Sequence, residues 1–197
     1  LCSRALVRDK FTAWCAQLPA GCIVAMETSS SAHHWARKLI ALGLDARIIA
    51  AQLVSPYRRQ GASGKNDAND AAAICAAMTH SGIPRVTVKT IAQQDMQALH
   101  RIRSMKMKQR TALINQTRGL LAEYGIIIAK SPAALRKAIP ELLEDADNGL
   151  SFDFRQLLSE LYDDLVAIDK RVAELTLRIE RTVRTSEEGK RLLEIPG

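Results

Sequence analysis

The chain has 197 residues, 47% of them apolar but only 4% aromatic, and a formal net charge of +7. That length suits one α/β domain plus an appendage around an aliphatic core, and the positive balance points to a polyanion, either nucleic acid or an acidic surface. No apolar run reaches the ~18–20 residues of a membrane helix and no signal peptide is legible; no membrane-spanning helix and a cytoplasmic location are expected.

Cys2, Cys15, Cys22 and Cys75 form no C-x-x-C pair, and no histidine pair completes a zinc pattern. They read as free thiols of a reducing compartment. Both ends read as cut, and the chain is expected to be a fragment of a longer protein.

Residues 1–7 read as an edge strand. Residues 9–18 read as a short helix capped by Asp9, with Phe11, Trp14, Cys15 and Leu18 at helical spacing. After a turn at 19–21, the continuous apolar run 22–26 has the character of a parallel strand covered on both faces. Glu27 follows it directly. Residues 32–42 read as a helix closed by Gly43, and 46–50 as a second buried strand, completing a βαβ unit. In such sheets ligands gather beyond the carboxyl ends of the strands, where Glu27 stands. Residues 52–64 read as a long polar loop carrying Pro56, Tyr57, Arg58 and Arg59. Lys65 comes next, then a helix holding Asp67 and Asp70 that ends near 81–82. A short strand at 84–89 is expected after it.

From residue 91 the character changes. Residues 92–124 have helical composition. No acid occurs between Met96 and Ala122, but Arg101, Arg103, Lys106, Lys108, Arg110 and Arg118 do. Ser131-Pro132 opens a small helical segment, expected to break at Pro140. Residues 152–185 read as a second long helix. Its Leu158, Leu161, Leu165, Ile168, Val172, Leu175 and Ile179 alternate steps of three and four, a coiled-coil seam. In the first long helix Leu99, Ile102, Leu113 and Leu120 fit that spacing, while Lys106, Gln109 and Gln116 also fall on it. An antiparallel helical hairpin is inferred, with the capacity to pair two copies.

Asp67 and Asp70, three apart, are expected to be neighbours at a helix start whose partial positive charge favours carboxylates. Taken alone, the stretch reads as a capped helix beginning, with Asn66 or Asp67 as the cap. A metal reading requires Glu27 to reach the same point. Mg²⁺ takes oxygen ligands, and two such ions about 3.5–4 Å apart activate water and stabilise a leaving oxygen in phosphodiester cleavage. His33 and His34 are adjacent and cannot share a helix face; they read as packing or surface residues. The single-sign run 101–118 reads as a phosphate-contacting face, although residues 141–169, with nine acids and one base, offer an internal counter-charge. Arg58, Arg59 and Lys65 read as phosphate ligands or as surface decoration.

Several motifs resemble one family in order and number: Met26-Glu27, Ala32-His33-His34-Trp35-Ala36, Pro56-Tyr57, Lys65-Asn66-Asp67-Ala68-Asn69-Asp70-Ala71, Gln109-Arg110-Thr111-Ala112-Leu113 and Arg118-Gly119-Leu120-Leu121. These are similar to the DEDD insertion-sequence transposases of the IS-one-ten type. The resemblance implies an α/β ribonuclease H-like (RuvC-like) domain at 1–90, incomplete for want of its first strand. A helical coiled-coil domain at 91–190 would follow, then at 191–197 the start of a C-terminal transposase domain that carries a nucleophilic serine. It implies DNA recombination dependent on Mg²⁺ and guided by an RNA from the element, in a bacterial cytoplasm, with DNA, guide RNA and a second copy of the chain as partners. It maps three of the family's four acids onto Glu27, Asp67 and Asp70. The first acid has no match, since Asp9 lies in helical sequence, and the piece alone is expected to be inactive. A non-catalytic nucleic-acid-binding and dimerisation module, or a junction-resolving nuclease, is the alternative.

Overall fold

A computed structural model describes Arg4, residues 6–58 and residues 66–195, apart from the side chain of Glu188. The chain divides into two compact units, Leu1–Thr90 and Ile91–Gly197.

The first unit is built on a three-stranded mixed sheet. Strand β1 (Ile23–Glu27) runs parallel to β2 (Asp45–Ile49), in register from Ile23 opposite Asp45 to Glu27 opposite Ile49. Strand β3 (Arg85–Val86) pairs antiparallel with β2. Helix α1 (Arg8–Cys15) precedes the sheet and α2 (Ala32–Ala41) links β1 to β2. Alternation along the strands sorts their side chains between two faces. Val24, Met26, Ala46 and Ile48 pack towards α1 and α2, against Cys15, Ala36 and Leu39. Ile49 turns the other way and packs with Val54, Ala73 and Ala77, the last two on α4 (Asp67–Thr79). The same alternation puts Ile23, Ala25 and Glu27 on the α4 face.

Helix α2 stops where expected. Gly43 adopts φ of 78°, and Leu44 N–H donates back to the Leu39 carbonyl at 3.1 Å. This left-handed closure favours glycine. Trp35 is held edge-on by Phe11, with ring centres 5.0 Å apart, and the cations of Arg8 and Lys38 lie near its ring. His33 Nδ1 accepts from Lys89 N–H at 3.2 Å, while Arg37 donates to the Lys89 carbonyl at 2.7 Å. These two side chains therefore tie the segment after β3 to α2. His33 must be neutral to accept, and its pKa is lowered, first by burial and then by the charges of Lys89 and Arg37.

Two local expectations need correcting here. Of residues 1–7, Arg4, Leu6 and Val7 form no strand; Val7 is the N-cap of α1 instead. The loop expected at 52–64 begins as a short helix, α3 (Ala51–Val54), followed by a 3₁₀ turn, Ser55–Tyr57. Neither has a periodicity long enough to read. Helix α3 starts where it does because Ala51 N–H donates to Thr28 Oγ1 at 3.0 Å, a cap lent from beyond the end of β1.

The second unit holds α5 (Ile91–Glu123), α6 (Pro132–Glu144), α7 (Phe152–Thr185) and α8 (Glu187–Leu193). Its core joins Ile114 and Leu121 of α5, Leu135 and Ile139 of α6, and Phe154, Leu158 and Leu165 of α7. Two cross-contacts fix the direction of the long helices: Arg110 reaches Asp169, and Arg103 Nε donates to Thr176 Oγ1 at 2.8 Å. Each step of seven down α5 is matched by seven up α7, so the pair runs antiparallel.

The buried positions of α5 lie one residue beyond the expected seam. Ile114, Thr117 and Leu121 are buried, whereas Gln109 and Gln116 are exposed. The shift removes amides from the contact face. It places Arg103 and Arg110 there instead, where their aliphatic stems pack and their heads find partners on α7. The Thr117 hydroxyl is satisfied within its own helix, donating to the Leu113 carbonyl at 2.9 Å.

Helix α6 does not break at Pro140. A proline costs the helix one N–H and crowds the carbonyl four residues back. Here the buried Leu135 and Ile139 before it, and Leu142 and Leu143 after it, hold the flanking turns in the core.

Candidate active site

Glu27 is the last residue of β1, at the carboxyl edge of the two parallel strands. Thr28 N–H continues the ladder to the Ile49 carbonyl at 2.8 Å, which fixes the backbone around the acid. Across from it, α4 starts at an N-cap that is neither of the two acids. Asn66 Oδ1 accepts from Asn69 N–H at 2.8 Å. Capping therefore does not account for Asp67 or Asp70, because a neighbouring amide already does that work.

Asp70 and Glu27 meet through Arg58, the residue after the 3₁₀ turn. Arg58 Nη2 donates to Glu27 Oε2 at 2.8 Å, and its Nε lies 2.9 Å from Asp70 Oδ1. The two nitrogens belong to one planar guanidinium, so the two carboxylates sit within a few ångströms of each other. The contacts are unequal. Arg58 Nε is buried and has no aligned hydrogen-bond acceptor despite its proximity to Asp70, so that pairing is Coulombic, without a directed bond. All three side chains are about a third exposed, at 38%, 30% and 31% for Arg58, Glu27 and Asp70. Water screens the pairs accordingly.

Asp67 lies exposed in the first turn of α4. Among the described residues, no three His, Cys, Asp or Glu side chains gather closely enough to hold a metal ion. Arg59 and Lys65 lie outside the described residues. Tyr57 packs edge-on to His80, 6.2 Å between ring centres, beside the Ile49–Val54 cluster. The sequence suggested Arg58 as a phosphate ligand and gave no sign of its link to the acids, because that link spans 31 residues to Glu27.

The basic residues of α5 fall into two groups. Arg103 and Arg110 are engaged with α7, and Arg118 donates from Nε and Nη2 to the Ile128 carbonyl at 3.2 and 3.1 Å. Asp169 also receives Arg136 at 2.6 Å, so one acid neutralises two arginines. Arg101 and Lys108 are exposed and Lys106 half-buried. None of the three has a hydrogen-bond or ion-pair partner among the described residues.

A family model for DEDD transposases of the IS110 type, described as "Transposase", matches residues 4–126. The chain belongs to this family. It is 42% identical over 195 residues to a "Probable family 20 transposase" of Pseudomonas aeruginosa, covering 98% of this chain and 55% of the relative. It is 35% identical over 195 residues to the transposase for insertion sequence element IS1111A of Coxiella burnetii, covering 99% and 52%. It is 33% identical over 192 residues to the transposase for IS1328 of Yersinia enterocolitica, covering 96% and 55%. The chain thus spans about half the length of these transposases. No solved structure matches it. Among the described residues, no helix is long and apolar enough to cross a membrane.

Proposed function

We propose that this chain carries the carboxylate site and helical arm of an insertion-sequence DNA transposase. In this reading residues 1–90 are a RuvC-like, ribonuclease H-type domain, 91–190 an antiparallel coiled-coil hairpin, and 191–197 the approach to a further transposase domain. The whole protein recombines DNA of a mobile element in a Mg²⁺-dependent reaction guided by an element-encoded RNA. The observation that carries the reading is the meeting of Glu27 and Asp70 at the carboxyl edge of parallel strands, in a chain of DEDD transposase ancestry.

The donor chemistry suits a hard divalent ion. Two carboxylates converge on one guanidinium, and Mg²⁺ takes one or two such carboxylates together with water and phosphate oxygens. Glu27 and Asp70 are the residues that would hold Mg²⁺, with Asp67 one turn away on α4. Bound there, the metal supplies an activated water and a counter-charge for the leaving oxygen. The chain's own contribution is to fix Glu27 by the strand ladder, to free Asp70 by capping α4 with Asn66, and to offer phosphate contacts from α5. The fold proposal draws on β1 having no second strand partner among the described residues, with Ile23 52% exposed. The coiled-coil proposal draws on the heptad step shared by the Arg103 and Arg110 contacts.

Strand exchange between DNAs bearing the element's ends tests the reading. Asp70→Asn and Glu27→Gln in the transposase that carries this sequence are expected to abolish exchange while nucleic-acid binding persists. Full exchange by either variant overturns it.

A further inference from the structure

We propose that Arg58 is a built-in counter-cation that competes with a divalent ion for Glu27 and Asp70, so that ion binding and the Arg58 pairing exclude each other. The proposal rests on the reading of those acids as Mg²⁺ ligands. Its starting point is the unusual use of the guanidinium. Arginine pairs best as a fork, with two parallel N–H bonds to one carboxylate. Arg58 instead spans two carboxylates, with Nη2 on Glu27 and Nε against Asp70. The Nε contact is unaligned and buried, so half of the pairing is weaker than a fork provides.

Two carboxylates this close repel, and a neighbouring positive charge offsets that repulsion. The guanidinium supplies it. A divalent cation in contact with the same oxygens supplies more charge at shorter range, and it cannot share them with a guanidinium a few ångströms away without strong like-charge repulsion. One cation must leave. Arg58 is 38% exposed and follows a turn with no strand or helix of its own, so swinging out breaks no ladder. The displaced head remains beside the acids as a cation able to meet a phosphate oxygen. Arg58 is therefore a positioning residue with two states, and without metal it holds the acids together.

Mn²⁺ binding to this chain, followed by calorimetry, provides the test. Arg58→Gln is expected to bind Mn²⁺ on the order of 10- to 100-fold more tightly than the wild type, because one nearby positive charge has gone. Arg58→Lys, which keeps the charge, is expected to stay within about 3-fold of the wild type. Asp70→Asn is expected to lose binding. Equal Mn²⁺ affinity in the wild type and Arg58→Gln, with Asp70→Asn still abolishing it, overturns the competition while leaving the metal reading intact. No Mn²⁺ binding in any variant, or tightening that survives Asp70→Asn, overturns both. A second measurement needs no substitution: the Arg58 Nε–H resonance of ¹³C,¹⁵N-labelled protein is expected to shift as Mg²⁺ is added. A resonance that stays fixed while the Glu27 and Asp70 carboxyl signals move overturns the competition.

Discussion

Replacing Arg155 by methionine keeps an unbranched apolar stem and removes all the donors. The loss is large because every N–H of this guanidinium is used. Nε donates to the Leu150 carbonyl, Nη1 to the carbonyls of Leu142 and Leu143, and Nη2 to the Asp145 carbonyl and Asn148 Oδ1. One residue of α7 thereby closes the C-terminal end of α6, whose last carbonyls lack partners within their own helix. Hydrogen bonds from charged groups contribute about 1.5–3 kcal/mol each. The full sum overstates the effect, since the Leu142 carbonyl retains Asn148 Nδ2 at 2.7 Å and Asp145 can turn to water. A net loss of about 3–5 kcal/mol is expected. Both tryptophans, Trp14 and Trp35, lie in the first unit, so denaturant unfolding read by far-UV circular dichroism weights the helical second unit and tryptophan fluorescence reports the first. The dichroism midpoint is expected to fall. A loss below about 1 kcal/mol would refute the claim that this side chain closes the helix end.

Three further outcomes are expected. His33 accepts a bond that only its neutral form can accept, and its folded pKa lies below the unfolded value; the stability it contributes is complete above the ordinary histidine pKa of about 6.5 and is lost as pH falls through the folded pKa. Fluorescence-monitored unfolding from pH 8 to pH 5 is expected to show this decline, reduced in His33→Phe. Exchanging both Arg101 and Lys108 for Gln is expected to lower the slope of log affinity for duplex DNA against log salt by about 2 at unchanged stability, while Arg110→Gln lowers stability by about 1–3 kcal/mol because Asp169 loses a partner. Titration at several salt concentrations and urea unfolding separate the two.

Much of the fold follows from local pattern. The apolar runs before Glu27 and before Ala50 are strands, Gly43 closes a helix, and the second long helix spans residues 152–185, as its three–four spacing requires. What was illegible depended on partners distant in sequence. Arg103 and Arg110 count as polar in any hydrophobic pattern, so the α5 seam reads one residue early; only Thr176 and Asp169 on the opposite helix reveal where it lies. Helix α3 owes its start to a threonine 23 residues away. In the candidate site, the strand tip and the helix start were legible. The choice of Asn66 over Asp67 as the cap, the exposed setting of Asp67 and the inward turn of Arg58 were not, because each depends on how a backbone is oriented before its side chain can be placed.

The matched steps of seven between Arg110–Asp169 and Arg103–Thr176 have a consequence for alignment. If α7 slid along α5 by two turns, Arg103 would stand opposite Val183 and Asp169 opposite Thr117, leaving a cation against an aliphatic side chain and an acid without its base. A purely leucine-lined contact would tolerate that slippage with little penalty. The two arginines act as teeth in a rack, and they hold this pair of helices against a slip in that direction.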